Sequence, residues 1–222
     1  MARTVITVAR QLASGGDLIA VGLAKALNVP IIQSQIMEAA AARAGVAPDT
    51  ISDAERAPGL LERMLEYLGR YGGVDEAEMT GIERPFYEAM TRDDYRHLVE
   101  DVMRGMAQDS DAVIVAQGGS IVPRDLPYVF KVLVTAPFDL RVRRLQEHEG
   151  LGRAEAERRV TEDDKSRLDY FRTYYKVHWL NAGLYDLCIN AANLDTSVAV
   201  KLIRSAHRAA VAGQLSPSAM RG

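Results

Sequence analysis

The chain has 222 residues, 48% hydrophobic and 26% charged, with a formal net charge of −3. That composition fits a globular domain with a sizeable core and gives no electrostatic case for nucleic acid or an anionic membrane surface as a partner. The one cysteine, Cys188, cannot form an internal disulfide, no apolar run reaches the roughly eighteen residues of a membrane span, and no secretory leader precedes the first strand, so a cytoplasmic protein is expected.

Residues 4–9, TVITVA, are a β-branched, apolar run of the kind found in buried strands. They lead into the small-residue loop Ala13-Ser14-Gly15-Gly16, and an apolar-periodic helix leaves it over residues 17–27. Leu18, Ile19, Gly22, Leu23 and Ala26 are assigned to its buried side, with Asn28 and Pro30 stopping it. A short strand over 29–32 is followed by a helix over 35–44, capped by Ser34 and ended by Gly45. Residues 46–84 interrupt the alternation: Pro48, Asp49 and Ser52 open one short helix, Pro58 opens another, and a glycine-bearing loop fills 69–84. This helical insert offers a surface for a homodimer.

A long helix is expected over 86–108, then strands over 112–116 and 128–134. Pro137 stands at the first position of a helix over 138–149. A highly charged helical region covers 153–180, the fifth strand 185–190 and a last helix 197–212, leaving 213–222 as a disordered polar tail. Apolar strands alternating with helices define an α/β protein whose parallel five-stranded sheet is flanked by helices. The region 1–212 is taken as one domain, with 46–84 as an insert and 150–180 as a lid.

In open α/β sheets ligands bind beyond the carboxyl ends of the strands, which is where the Ala13–Gly16 loop falls. A strand, a glycine loop and a helix N-terminus together point amide N–H groups at an anion, and Gly15 and Gly16 permit close approach. Ser14 could add a hydroxyl donor. The frame differs from G-x-x-x-x-G-K-[ST]: its first glycine falls at Arg10, its lysine at Gly16 and its metal-binding hydroxyl at Asp17. Asp17 has two readings, one as an acid that complements the helix dipole and one as a charge that repels phosphate. Arg10 either replaces the lysine as a phosphate contact or makes a surface ion pair.

Ala116-Gln117-Gly118-Gly119-Ser120 ends the third strand and either holds a second substrate on its amides or makes a sharp turn into Pro123. In the 153–176 region Arg158, Arg159, Lys165, Arg167, Arg172 and Lys176 alternate with acids at i,i+4 spacing, as on a solvated helix laced with salt bridges. Tyr170, Phe171, Tyr174, Tyr175 and Trp179 interleave with them, which also suits a lid that closes over a nucleotide. His97, His148, His178 and His207 have no metal-ligand spacing, so no metal-binding residue is assigned. Cys188 is read as a small core residue.

Four segments, ITVARQLASGGDLIAVGLAKAL, VIVAQGGSIVPRDLPYVFKVLVTAPFDLRVRRL, VTEDDKSRLDYFRTYYKVHW and YDLCIN, resemble in order and spacing the cytidylate kinase-like family, relatives of the P-loop nucleoside monophosphate kinases. Arg10, Ser14, Gly15 and Gly16 match that family's first loop, while Asp17 stands where it has an arginine and Gln11 where it has a glutamate. Ala116-Gln117 stands for its Gly-Arg, and Gln33-Ser34 where an aspartate is usual. Asp164, Lys165, Arg167, Tyr174, Tyr175 and Lys176 match its lid, and Arg141 and Arg144 its helix after the fourth strand.

The resemblance implies a P-loop NTPase-like three-layer fold and a phosphotransferase that moves a phosphoryl group from ATP, with Mg²⁺, to a nucleoside monophosphate or similar acceptor. Under it Ala13, Ser14, Gly15, Gly16 and Asp17 hold the nucleotide phosphates, and Arg10, Lys165 and Arg167 steady the moving group. Gln117, Gly118 and Gly119 border the acceptor, and Arg158, Arg159, Tyr174 and Lys176 belong to the lid. The replaced charges leave an alternative: a non-catalytic module that binds a nucleotide or another anion on the same fold.

Overall fold

A computed structural model of the chain describes residues 3–33, 35, 36, 39, 92–116, 121–123 and 126–213. The expected helix over 35–44, the insert over 46–84, the turn at 117–120 and the tail beyond Gly213 lie largely or wholly outside the described residues. The chain divides into two compact units, Gln33–Met106 and a second made of Met1–Ile32 with Ala107–Gly222. The described part of the first unit is chiefly helix α2, Arg92–Asp109, on which Val99, Val102 and Met103 are buried and Arg96 pairs with Glu100.

The second unit holds the sheet. Its strands are β1 (Val5–Arg10), β2 (Ile31–Ile32), β3 (Ala112–Ile114), β4 (Val129–Thr135) and β5 (Leu187–Asn190). They run in the order β2-β3-β1-β4-β5 with every pairing parallel. β1 is therefore central, its Thr7 facing Ile114 on one side and Lys131 on the other. From β1 the chain crosses to edge strand β2, returns to β3 beside β1, and then passes to β4 and β5 on the other side, so the order reverses at β1. A crevice at such a reversal is where α/β sheets take their ligands.

Alternation along the strands sends Ile6 and Val8 of β1, Phe130, Val132 and Val134 of β4, and Ile189 of β5 to one face. Helices α1 (Gly16–Leu27) and α5 (Thr196–Val211) cover that face with Ile19, Ala20, Leu23, Ala24, Ala199, Val200 and Ile203. Gly22 allows α1 and α5 to approach, since a Cβ there would lie 3.1 Å from Val200 Cγ2. Helices α3 (Phe138–Glu149) and α4 (Arg153–Tyr175) bury a separate cluster of Val142, Leu145, Ala156 and Val160, on which Leu12 and Ala13 of the glycine loop also pack. The loop is thus held from below by β1 and from the side by α3 and α4.

Several sequence expectations are corrected. The buried face of α1 is turned: Leu18 is 60% exposed, and the small residues Ala20 and Ala24 are buried in its place, where they let the helix sit close on the strands. Pro137 is the N-cap of α3, with an extended ψ of 145°, one position before the expected one. The charged helix stops at Tyr175 because Lys176 turns left-handed at φ 57°. Residues 182–184 form a 3₁₀ turn ahead of a fifth strand shorter than expected. Cys188 is exposed, because its neighbour Ile189 takes the core-facing position on edge strand β5 and alternation turns Cys188 away.

Candidate functional site

The site is built from the end of β1 and the start of α1. β1 keeps its ladder one residue beyond Arg10, with Gln11 N donating to Val134 O at 3.2 Å. The chain then turns, Ser14 N donating to Gln11 O at 3.1 Å, through two left-handed residues, Ala13 at φ 57° and Gly15 at φ 90°. Ser14 is fully buried, and its hydroxyl accepts from Gly16 N at 3.4 Å, so its side chain holds the turn from inside. Ile19 N donates to Gly15 O at 3.1 Å, and the amides ahead of it at the helix start have no intrahelical acceptor.

Gly16 is a close-packed position. A Cβ there would lie 2.5 Å from Cβ of Arg10, a backbone-fixed atom that cannot swing aside. The residue that occupies the lysine slot of the common loop pattern is therefore glycine for a steric reason, and the cation at the mouth of the turn comes from β1. Arg10 Nε donates to Asp17 Oδ1 at 2.5 Å. The Arg10 side chain is 18% exposed and that of Asp17 56%, so the pair lies at the mouth of the turn with its acid largely in solvent.

Two arginines of α3 that the sequence singled out without a role hold this geometry. Arg144 donates to Ser14 O at 2.7 Å, to Ala13 O at 3.4 Å and to Ala191 O at 3.1 Å, tying the loop's carbonyls to the end of β5. Arg144 thereby occupies those carbonyls, while Ser14 N and Gly16 N are spent on Gln11 O and the Ser14 hydroxyl, so among the described residues the loop amides of Ala13, Gly15 and Asp17 carry no hydrogen-bond partner. Arg141 is buried and forks onto Asp164 of α4 at 2.9 and 2.6 Å. Gln11 stands between, its Oε1 accepting from Ala136 N at 3.4 Å and its Nε2 reaching Asp164 Oδ1 at 3.5 Å. The signal available in the sequence was the i,i+3 spacing of Arg141 and Arg144 beside the apolar Val142 and Leu145, which puts both cations on or next to a buried face.

Helix α4 gathers the other expected residues in a different way. Arg167 forks onto the buried Asp163 at 2.8 and 3.3 Å and lies 5.8 Å over the Trp179 ring. Arg158 is bound by Glu155 and Glu162, whose carboxylates hold its guanidinium above its ordinary pKa, and Arg159 pairs with Glu149. Lys165 is exposed and carries no ion pair among the described residues, while Lys176 donates to Thr173 O at 2.8 Å. Phe171 and Trp179 are buried and stack at 6.0 Å, with Tyr170 edge-on to Phe171 and Tyr174 tilted against Tyr170. Tyr185 fastens this cluster by donating its hydroxyl to Trp179 O at 2.6 Å.

The loop from Ala13 to Asp17 and Arg10 are thus brought together, and Asp164, next to Lys165 and three residues before Arg167, comes to the base of the loop through Arg141 and Gln11. Gln117, Gly118 and Gly119 lie outside the described residues. Among the described residues no three or more His, Cys, Asp and Glu side chains gather as a metal site, and no helix is long and apolar enough to cross a membrane.

A parallel sheet ordered β2-β3-β1-β4-β5, with a glycine loop and helix N-terminus leaving its central strand, is the fold of the P-loop kinases. A family model described as the cytidylate kinase-like family matches residues 5–193, and the chain belongs to that family. It is 24% identical over 163 residues to a cytidylate kinase of Methanopyrus kandleri, covering 66% of this chain and 84% of that protein. Among solved structures it resembles an uncharacterized protein from Eubacterium ventriosum, at 19% identity and a TM-score of 0.63 over 93% of this chain and 99% of the other. It also resembles a shikimate kinase from Bacteroides thetaiotaomicron, at 14% identity and a TM-score of 0.51 over 91% and 97% of the two chains. These two likenesses speak for the fold alone.

Proposed function

We propose that this protein transfers a phosphoryl group from ATP to a nucleoside monophosphate or a similar phosphate-bearing acceptor, inside the cell. The observation that carries the reading is the turn from Ala13 to Gly16. Its carbonyls are occupied by Arg144 and its helix start is open, at the carboxyl end of the strand where the sheet order reverses. Free amides at a helix N-terminus are the part of this fold that meets phosphate.

Catalysis would be positioning and charge stabilisation without a covalent intermediate. In the turn from Ala13 to Asp17, the amides of Ala13, Gly15 and Asp17, which have no partner among the described residues, orient the donor phosphates. Arg10, at the rim, offers a guanidinium fork to the transferring group once it leaves Asp17. Lys165 is exposed on α4 and has no ion pair to break among the described residues; Arg167 must first exchange Asp163 for phosphate. Arg158, Arg159, Tyr174 and Lys176 complete the lid, and Gln117, Gly118 and Gly119 border the acceptor. Magnesium bound with the nucleotide supplies neutralisation of the charge that builds on the phosphate oxygens.

The second reading, a binding module without turnover, is favoured by one feature: Arg10, the cation at the mouth of the turn, is already neutralised by Asp17. Calorimetric titration with ATP and with CMP, paired with an ADP-release assay across candidate acceptors, separates the two. Binding with acceptor-dependent ADP release supports the phosphotransferase, and saturable binding with no release under any acceptor supports the module.

A further inference from the structure

Helices α4 and α5 finish their outer faces differently. On α4, Arg158, Arg159 and Arg167 are each answered by an acid of their own helix or of α3. The 16 residues of α5, Thr196–Val211, contain no acid, and Lys201, Arg204 and Arg208 carry no ion pair among the described residues. Their spacing of i, i+3 and i+7 sets them in one row about 10 Å long. Arg204 is half-buried, and its Nε is a buried donor without an acceptor among the described residues. Lys25 of α1, the helix that packs beside α5 at Gly22, is exposed and likewise unpaired among the described residues. Next to the cation row stand two branched aliphatic side chains, Val198 at 39% and Leu202 at 48% exposure. They are i,i+4 neighbours, and Lys201 follows Val198 by three positions, so the apolar pair and the cations share one outer surface. The inner face of α5 is already spent, with Ala199, Val200 and Ile203 buried on the sheet. Val198 and Leu202 are therefore a second apolar row, outside the core.

We propose that the outer face of α5 docks an acidic amphipathic helix of a partner protein, which lies along α5 with an aliphatic row on Val198 and Leu202 and carboxylates on Lys201, Arg204 and Arg208. Charge and dimensions choose this occupant. Two aliphatic positions four residues apart match the apolar stripe of one helix, and a cation row about 10 Å long meets carboxylates spread over two turns. Single ion pairs on a wet surface contribute little. A partner that also covers the aliphatic row removes water from around those pairs and strengthens them. An anionic bilayer or a nucleic acid duplex fits less well. Either extends far beyond one helix row, across a chain whose net charge is −3, whereas a segment one helix wide meets the cations alone. None of these five side chains belongs to the phosphate machinery assigned above, so the surface stands apart from that reading.

The test is fluorescence anisotropy with a labelled probe helix of about 20 residues, long enough to be helical, that carries leucine every third or fourth position and glutamate on either side of that stripe. A second probe has the same composition with the leucines shuffled off the stripe. The full chain should bind the striped probe saturably and about tenfold more tightly than the shuffled one, with the affinity falling as salt is raised. Lys201→Glu combined with Arg208→Glu should weaken the striped probe by about tenfold or more, and Leu202→Asp by about fivefold, while Lys201→Arg leaves it unchanged. Thermal melts confirm that each variant is folded. The proposal is overturned if the striped probe does not bind saturably, if both probes bind alike, or if the double charge reversal leaves binding intact. Tighter binding to phosphatidylserine vesicles or to duplex DNA than to the striped probe assigns the face to a bilayer or a nucleic acid, and overturns it as well.

Discussion

The glycine loop and helix α4 are built on opposite principles. The loop carries few charges and uses its backbone: buried Ser14 and the Arg144 fork set the direction of its amides and carbonyls. Helix α4 carries many charges and cancels most of them internally, Arg158 against Glu155 and Glu162, Arg167 against Asp163, Arg159 against Glu149 of α3. The difference teaches that a count of arginines near a nucleotide site does not measure the positive charge a ligand would meet. What matters is which cation can be released at low cost, and that is set by burial of its partner. Asp17 is mostly in solvent and Asp163 is buried, so Arg10 is the more readily freed of the two arginines.

The largest expected effect comes from the residue that joins the two regions. Arg141→Ala removes a buried fork from Asp164, and because that acid is 31% exposed the loss is put at roughly 2–4 kcal/mol, below the full value for a buried pair. Urea denaturation measures it; a loss under about 0.5 kcal/mol, the range of ordinary surface changes, would show that α4 is held to the loop by other contacts. Gly16→Ala comes next, costing about 1–3 kcal/mol of stability through overpacking against Arg10 Cβ and distorting the turn. A neutral result in the same measurement would contradict the steric account of that slot.

A reference position lies away from both regions. His207 is buried on α5, edge-on to Phe130, and among the described residues its Nε2 has no hydrogen-bond partner. Burial pushes its pKa below the ordinary 6.5, and the Asp111 charge opposes this in part. The sign follows from proton counting. Below pH 6.5 the unfolded chain takes up a proton that the folded chain refuses, so stability present above that pH is lost as pH falls towards the depressed folded value. The urea midpoint should drop on acidification through that window, and His207→Leu should flatten that part of the slope. An unchanged slope would remove His207 as its source. The smallest effect is reserved for Arg158→Ala: its pairs are fully exposed, and the urea midpoint should not move measurably.

Much of the fold was legible in the sequence. The β-branched runs at Val5–Arg10 and Val129–Thr135 can be buried on both faces only in a covered parallel sheet, and Asn28 marks the end of α1 by turning left-handed. The strand-to-helix junction at the glycine loop was legible for the same reason. What was not legible depended on contacts between distant segments. Cys188 looked like core until edge strand β5 turned it outward, and Leu18 looked buried until Ala20 and Ala24 took the close-packed side. The spacing of its helix set Arg144 beside a buried face, but only the folded chain brings it to a carbonyl 130 positions away. Whether Arg10 would face phosphate or an acid was likewise undecidable until Asp17 was found on it.

The measurement closest to the central claim is a titration of ¹⁵N-labelled protein with MgADP, following the amide resonances of Gly15 and Asp17. The account predicts saturable shifts at both, in step with the calorimetric isotherm, as main-chain N–H groups take up phosphate oxygens. Saturable binding that leaves those two amides unmoved while other resonances shift would place the nucleotide elsewhere and contradict it.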